Sequence, residues 1–195
     1  MKIHLLEAHG LDSALLGLGL SYNLTTPYAC WDDVPGETKQ RLYKIAEKLC
    51  VRDGGENKFL RQAMYFWSVE APRFWLQEAS TYKVATVEQS CSTMHTVMHR
   101  SLTQDDFEYG INPSYLDHLN GLIAEYKEKK DEDIFLRLKN DLPEGFLQRR
   151  VWSLSLANMK NIYAQRRRHR LPQWQFVCQA FVEETPPWLR GIFHG

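Results

Sequence analysis

The chain has 195 residues, and its 24 Lys and Arg residues balance 24 Asp and Glu residues, so the formal net charge is zero. This balance argues against duplex DNA or an anionic membrane as a partner, and no apolar run reaches the roughly 18–20 residues that cross a bilayer. Four scattered cysteines without a CxxC spacing indicate free thiols in a reducing compartment, which predicts a cytoplasmic protein. The length predicts a single domain over residues 1–195.

The first half of the chain predicts a helix and a long strand after an N-terminal loop or strand region at residues 1–35. Helical spacing of apolar residues predicts a helix from Glu37 to Val51. Residues 57–71 alternate in sequence, are rich in aromatic side chains and end at Pro72, which indicates a long strand, although a helix also fits them. A further helix is predicted from Phe74 to Ser80.

The second half predicts several more helices. Asn112-Pro113 reads as an N-cap followed by Pro in the first turn, and Asp131 or Asp133 can cap a short helix that ends near Pro143. A long helix is predicted from about Ser153 and another over residues 173–182. Several helices with few strands indicate an α+β fold. The Pro-broken aromatic tail, residues 185–195, is expected to dock on a neighbouring copy.

A run of neutral polar side chains, from Ser80 to Thr93, lies within residues 71–95. Such a run, with one cation at Lys83, suits the wall of a pocket for a phosphate-bearing ligand. A pair of helices whose hydroxyls bond their own backbone also explains it. The run contains Ser80, Thr81, Tyr82, Thr86, Gln89, Ser90, Ser92 and Thr93.

Two clusters of basic or imidazole side chains need an explanation. The run from Arg166 to Arg170 is either a solvated helix end or an anion site whose guanidinium groups bind phosphate or a ring carbonyl. His95 and His99 lie four residues apart, a spacing that can hold a metal on a helix. No acidic residue lies between them and no third ligand is evident, so no metal site is predicted.

Together these segments resemble the flavin-dependent thymidylate synthases, the ThyX family. That family has a strand, Ala-Pro, a helix and then a signature of Arg-His-Arg, Ser, Glu, Ser and Arg-Tyr. Ungapped counting from Ala71-Pro72 places the signature on Thr81-Tyr82-Lys83, Thr86, Gln89, Cys91 and Thr93-Met94. The family's Leu-Pro, Leu-Arg and Gln-Trp segments match Leu142-Pro143, Arg166 or Arg167, and Gln173-Trp174. The arginines of the central signature are absent.

The resemblance implies an α+β fold with an antiparallel sheet and several packed helices, and a homotetramer with sites between subunits. It implies C5 methylation of a pyrimidine deoxynucleotide, dUMP to dTMP, with FAD, NADPH and methylenetetrahydrofolate. A synthase making a hydroxymethyl nucleotide and a non-catalytic nucleotide-binding homologue are the alternatives. By resemblance, Arg166 and Arg167 are the catalytic candidates. The implied substrate-binding residues are Gln77, Glu78, Gln89, Ser90, Cys91, Ser92 and Thr93, and the implied cofactor-binding residues are Thr81, Tyr82, Lys83 and Thr86.

Overall fold

The computed structural model describes residues 1–194, which fall into two compact units. The first unit contains Met1–Lys2, Val69–Tyr82 and Glu88–Val151. The second contains Ile3–Ser68, Lys83–Val87 and the described chain from Trp152 onward. That the chain forms a single domain stays a prediction.

The described residues form four strands, eight α-helices and three short 3-10 helices. The strands are β1 (Lys2–His9), β2 (Met64–Pro72), β3 (Thr86–Ser90) and β4 (Leu147–Ser155). The first four helices are α1 (Leu11–Leu20), α2 (Gly36–Cys50), α3 (Arg73–Ala79) and α4 (Thr93–Thr96). The others are α5 (Pro113–Lys129), α6 (Glu132–Asp141), α7 (Leu156–Arg166) and α8 (Pro172–Glu184). The 3-10 helices are Lys58–Arg61, Gln104–Asp106 and Pro187–Phe193.

The four strands form one antiparallel sheet in the order β1-β2-β4-β3. Lys2 at the start of β1 pairs with Glu70 near the end of β2, with 2.7 Å between the ammonium and the carboxylate. The amide of Cys91, just after β3, donates to the carbonyl of Arg149 on β4 at 2.8 Å. The predicted α+β fold with an antiparallel sheet is therefore confirmed.

Each unit has its own apolar core. In the first unit, the inner faces of α5 and α6 pack together, with Leu119, Ile123 and Leu138 almost fully buried. In the second unit, Phe181 of α8 packs against two buried tryptophans, Trp67 and Trp152, at ring-centroid distances of 5.3 and 6.3 Å. Buried aromatic side chains of this size dominate core energetics, so these contacts hold α8 on the strands of its unit.

Several sequence predictions are wrong in their boundaries. The long strand predicted over residues 57–71 begins at Met64, because residues 58–61 form a 3-10 helix. The helix predicted from Ser153 begins at Leu156, because Ser155 is its N-cap and exchanges hydrogen bonds with Asn158. Three observed elements were not predicted: α1 within residues 1–35, β3 and β4.

The C-terminal tail packs within its own unit. Leu189, Ile192 and Phe193 are each at most 3% exposed, and the Phe193 ring lies 4.8 Å from the ring of Tyr163 on α7. These three apolar side chains are therefore covered within the unit, and docking of the tail on a neighbouring copy stays a prediction.

Candidate functional site

The polar run of residues 71–95 spans α3, a turn, β3 and α4. Backbone carbonyls four or three residues earlier accept hydrogen bonds from Ser80 (2.8 Å) and Thr81 (2.7 Å). These hydroxyls therefore satisfy local backbone groups, as the alternative explanation of the run requires. Gln89 and Ser90 are exposed on β3, whereas Gln77 on α3 donates to Glu144 at 2.9 Å. Glu78 is half-buried on the same helix.

A cleft of about 360 Å³ in the first unit contains two of the predicted substrate-binding residues, Cys91 and Thr93. We call it the Cys91 cleft. Its volume lies within the usual range of small-molecule sites, about 300–1,000 Å³. The cleft is also lined by Lys2, Glu70, Thr96, Arg100, Asp106, Gln148 and Arg149.

Cationic side chains that sequence reasoning missed contribute to the Cys91 cleft. Arg149 lies on β4, a strand that the sequence did not reveal, and Arg100 lies in the loop after α4. Arg100 pairs with Asp106. Burial alone would raise the pKa of Asp106, but hydrogen bonds from Arg100 and Thr103 outweigh it and hold that pKa below its ordinary value. Among the described residues, the cleft as a whole holds three cations, Lys2, Arg100 and Arg149, and three carboxylates, Glu70, Asp105 and Asp106.

Cys91 is fixed in the cleft by its backbone. Its amide donates to Arg149, and its carbonyl accepts from the Gln148 side chain at 2.6 Å. Its exposed Sγ lies 3.4 Å from the Thr96 hydroxyl. These contacts give the thiol a defined position in the cleft.

A second polar cluster joins β3, β4 and the end of α3. Arg150 pairs with Glu88 and donates to the Ser80 hydroxyl at 2.8 Å. The side chains of Glu88 and Arg150 are 19% and 18% exposed. Among the described residues, Arg150 Nε is buried without a hydrogen-bond partner. This cluster anchors the segment that carries the predicted site residues, and neither residue was singled out from the sequence.

Both catalytic candidates lie at the end of α7 in the second unit, and aromatic rings hold them. The Arg166 guanidinium lies 5.0 Å from the Trp174 ring centroid, and that of Arg167 lies 5.7 Å from the Tyr163 ring. Arg167 also donates to a backbone carbonyl in the last turn of α7 at 2.9 Å. Burial raises the pKa of the nearby Cys178 thiol to about 12, although both arginines oppose the rise.

A cleft of about 540 Å³ in the second unit is lined by both apolar and polar residues. We call it the Tyr22 cleft. Ala14, Leu18 and Phe59 belong to its lining, together with Arg52 and Lys58 and the exposed ring of Tyr22. A third recess, between β1 and α8, contains none of the predicted site residues.

The predicted cofactor-binding residues divide between the units. Thr81 and Tyr82, which follow α3, belong to the first unit, and Lys83 and Thr86 belong to the second. Within the second unit, Asn158 of α7 donates to the carbonyl of Val84 at 2.8 Å and so anchors this loop.

The described residues contain neither a metal-binding cluster nor a membrane-spanning helix. No three His, Cys, Asp or Glu side chains among residues 1–194 come together in a way that could hold a metal, and His95 and His99 gain no third ligand there. None of the described helices combines the length and apolarity needed to cross a membrane.

Solved structures share this fold over almost its whole length. A crystal structure of flavin-dependent thymidylate synthase ThyX from Helicobacter pylori complexed with FAD and dUMP matches with a TM-score of 0.72 and 15% identity, covering 99% of this chain and 98% of that one. A second Helicobacter pylori ThyX structure with FAD and dUMP has a TM-score of 0.71 and 15% identity, covering 99% and 97%. No protein-family model and no curated protein matches the sequence.

These matches define an α+β fold built on an antiparallel sheet. More particularly, it is the fold of the ThyX flavin-dependent thymidylate synthases. The resemblance noted in the residues is therefore confirmed at the level of the fold.

Proposed function

We propose that this protein is a divergent member of the ThyX family that methylates C5 of dUMP to give dTMP, using FAD, NADPH and methylenetetrahydrofolate. One observation carries the proposal: the ThyX fold extends over 99% of the chain and is shared with structures that hold FAD and dUMP. We further propose a cytoplasmic homotetramer in which neighbouring copies complete each site.

The Cys91 cleft supports a role in nucleotide binding. Arg149 can bind a phosphate through two parallel N–H donors, and the Thr93 hydroxyl adds a neutral donor. We assign the segment from Gln89 to Thr93, which joins the end of β3 to the start of α4, to the nucleotide, with Gln77 and Glu78 as further contacts.

Arg166 or Arg167 is the proposed ring-polarising residue. A guanidinium beside a uracil carbonyl stabilises the negative charge that develops on the ring. A cation–π contact is worth about 0.5–1 kcal/mol at exposed sites, less than the roughly 1.5–3 kcal/mol of a hydrogen bond involving a charged group. A charged hydrogen bond to the substrate therefore outweighs the cation–π contact by itself, and Arg167 would also exchange its hydrogen bond to the Ala164 carbonyl.

We assign the flavin phosphates to Lys83 and to the hydroxyls of Thr81, Tyr82 and Thr86, as the resemblance implies; an ammonium and three hydroxyls are suitable donors for phosphate oxygens. When bound, reduced flavin supplies the hydride of the reductive methylation.

A second candidate function is nucleotide binding without flavin chemistry. It is favoured by Thr81-Tyr82-Lys83, which brings a single cation to the positions of the family's Arg-His-Arg. Lysine is a point charge and lacks the bidentate fork of arginine, so flavin phosphates would be held less firmly.

The visible spectrum of the purified protein, recorded with and without added FAD, separates these functions. Flavin absorption bands with micromolar affinity support the enzyme, and failure to bind FAD at any practical concentration leaves the nucleotide-binding function. Product mass from dUMP and labelled methylenetetrahydrofolate then distinguishes a methyl from a hydroxymethyl product. Sedimentation equilibrium tests the tetramer.

Single replacements test the ring-polarising role. Arg166→Ala and Arg167→Ala should differ, and one of them should lower kcat/KM for dUMP about tenfold to a hundredfold, the loss of one charged hydrogen bond. Arg168→Ala, at an exposed neighbouring position, is the matched control. Equal activity in all three variants would show that neither arginine contacts the ring.

A further inference from the structure

Lys139 in the last turn of α6 has an unusual set of contacts. Its ammonium donates to the Thr93 hydroxyl, and among the described residues it forms no ion pair with a carboxylate. Lys129, at the end of α5, instead pairs with Glu125 at 2.8 Å in an exposed position. Lys139 is thus a half-buried cation bonded to a neutral oxygen.

A second cation lies close to Lys139. Arg73 at the start of α3 donates to the Leu142 carbonyl at 2.8 Å, and its pairing with Glu144, at 3.4 Å, is loose. Burial lowers the pKa of Lys139, and the positive charge of Arg73 lowers it further. An anion beside Lys139 would relieve both effects, because it favours the charged ammonium.

Thr93 connects this cation to the nucleotide site. Thr93 lines the Cys91 cleft beside Cys91 and Arg149, and it occupies the position where the ThyX signature has an arginine. An anion bound at the Thr93 hydroxyl would therefore be within reach of the Lys139 ammonium. The positive charge that the signature has at position 93 is supplied here by Lys139 on another helix, α6.

We propose that Lys139 provides the cation of the nucleotide-phosphate subsite at Thr93, in place of the arginine of the family signature. The inference rests on the proposed nucleotide function of the Cys91 cleft. The ligand group is a phosphate monoester. The ammonium acts as a point charge, and its hydrogen bond also keeps the Thr93 hydroxyl oriented toward the phosphate.

Calorimetric affinities for dUMP and for deoxyuridine, which lacks the phosphate, test the assignment. Lys139→Met should weaken dUMP binding about tenfold to a hundredfold, the loss of one charge-assisted hydrogen bond. Its deoxyuridine affinity should change less than twofold, and Lys139→Arg should retain dUMP affinity within a few-fold. Lys127→Met, at an exposed position on α5, is the matched control and should bind both ligands like the unmodified protein.

Returning the cation to its place in the signature gives a rescue test. Thr93→Arg combined with Lys139→Met should recover at least tenfold of the lost dUMP affinity. Unchanged dUMP binding by Lys139→Met, or equal losses for dUMP and deoxyuridine, would overturn the role of Lys139 while leaving the proposed function intact.

Failure of the unmodified protein to bind dUMP would refute the proposed function itself. A separate measurement then still tests the subsite. The lysines are labelled as ¹³C-dimethyllysines, and the NMR signal of Lys139 is titrated with pH, with and without inorganic phosphate. Phosphate should raise the pKa of Lys139 and leave the position of the Lys127 signal at a fixed pH unchanged. Identical titrations with and without phosphate would then refute the subsite.

Discussion

Replacing Glu88 by Gln tests whether the buried ion pair with Arg150 holds the site segment in place. The variant keeps the shape of the side chain and removes its charge. Arg150 then retains Ser80 at 2.8 Å and Gln148 at 3.2 Å as partners, while its buried Nε remains without a partner among the described residues. An uncompensated, largely buried guanidinium is the expected cost.

The magnitude follows from burial. Removing one partner of a fully buried pair costs about 3–5 kcal/mol. Because about a fifth of each side chain is exposed, we expect roughly 2–3 kcal/mol here, with the remainder screened by water. With a urea m-value of about 2 kcal/mol per molar, the unfolding midpoint should fall by about 1 M.

Urea unfolding followed by tryptophan fluorescence measures this shift. Glu56→Gln is the matched control, because Glu56 pairs with Arg52 at 2.8 Å while both side chains remain more than half exposed, and such pairs contribute about 0.3–0.5 kcal/mol. Glu88→Met with Arg150→Met should recover much of the loss, since apolar replacements of buried pairs are often neutral. A Glu88→Gln shift no larger than that of the control would refute the reasoning.

Two further predictions concern the Cys91 cleft and the buried thiols. Hydrogen bonds from an arginine and a threonine hold the pKa of Asp106 below its ordinary value although burial opposes them. The ionised Asp106 carboxylate therefore stabilises the fold fully above about pH 4, the ordinary pKa of an aspartate, and this stabilisation is lost as the pH falls through the lower folded-state pKa. Urea midpoints should accordingly show that the stability difference between the unmodified protein and Asp106→Asn shrinks below about pH 4. Iodoacetamide at pH 8 should alkylate the exposed Cys91 and Cys30 and spare the buried Cys178, whose pKa is about 12. Mass spectrometry should find that dUMP protects Cys91 and leaves Cys30 reactive; equal alkylation with and without dUMP would place the nucleotide outside the cleft.

The helices that the sequence predicted well are those with local signals. Asn112 caps α5 by accepting from the Ser114 amide at 2.9 Å, and Asp131 caps α6 by accepting from the Asp133 amide at 2.9 Å. Both contacts span two residues, so the pattern that encodes them is visible in a short window. The apolar face of α2 was equally visible because its spacing follows the helical period, and the helix predicted from Glu37 to Val51 is observed at Gly36–Cys50.

The strands were harder to predict because their partners are distant in sequence. On β4, two consecutive arginines interrupt the apolar pattern, and the contacts that explain Arg150 reach Glu88 and Ser80, 62 and 70 residues away. β1 is an edge strand whose side chains are mostly exposed, so it lacks the clear alternation of a half-buried strand. The clusters on β4 were therefore invisible until the register was known.

The strand register also bears on the altered signature in β3. Gln89 occupies the position of the family's glutamate and the carboxylate stands one position earlier, at Glu88. Adjacent strand residues point to opposite faces of the sheet. The carboxylate at position 88 therefore pairs with Arg150 and lies on the face opposite to that of Gln89.

At position 93 the ungapped count gives the converse. The signature arginine is absent from the sequence, yet Lys139 on α6 bonds the residue that replaces it, and Arg149 of β4 lines the same cleft. A comparison by sequence position counts these cations as lost because they belong to other elements. The rescue of Lys139→Met by Thr93→Arg distinguishes a cation that was relocated from one that was lost.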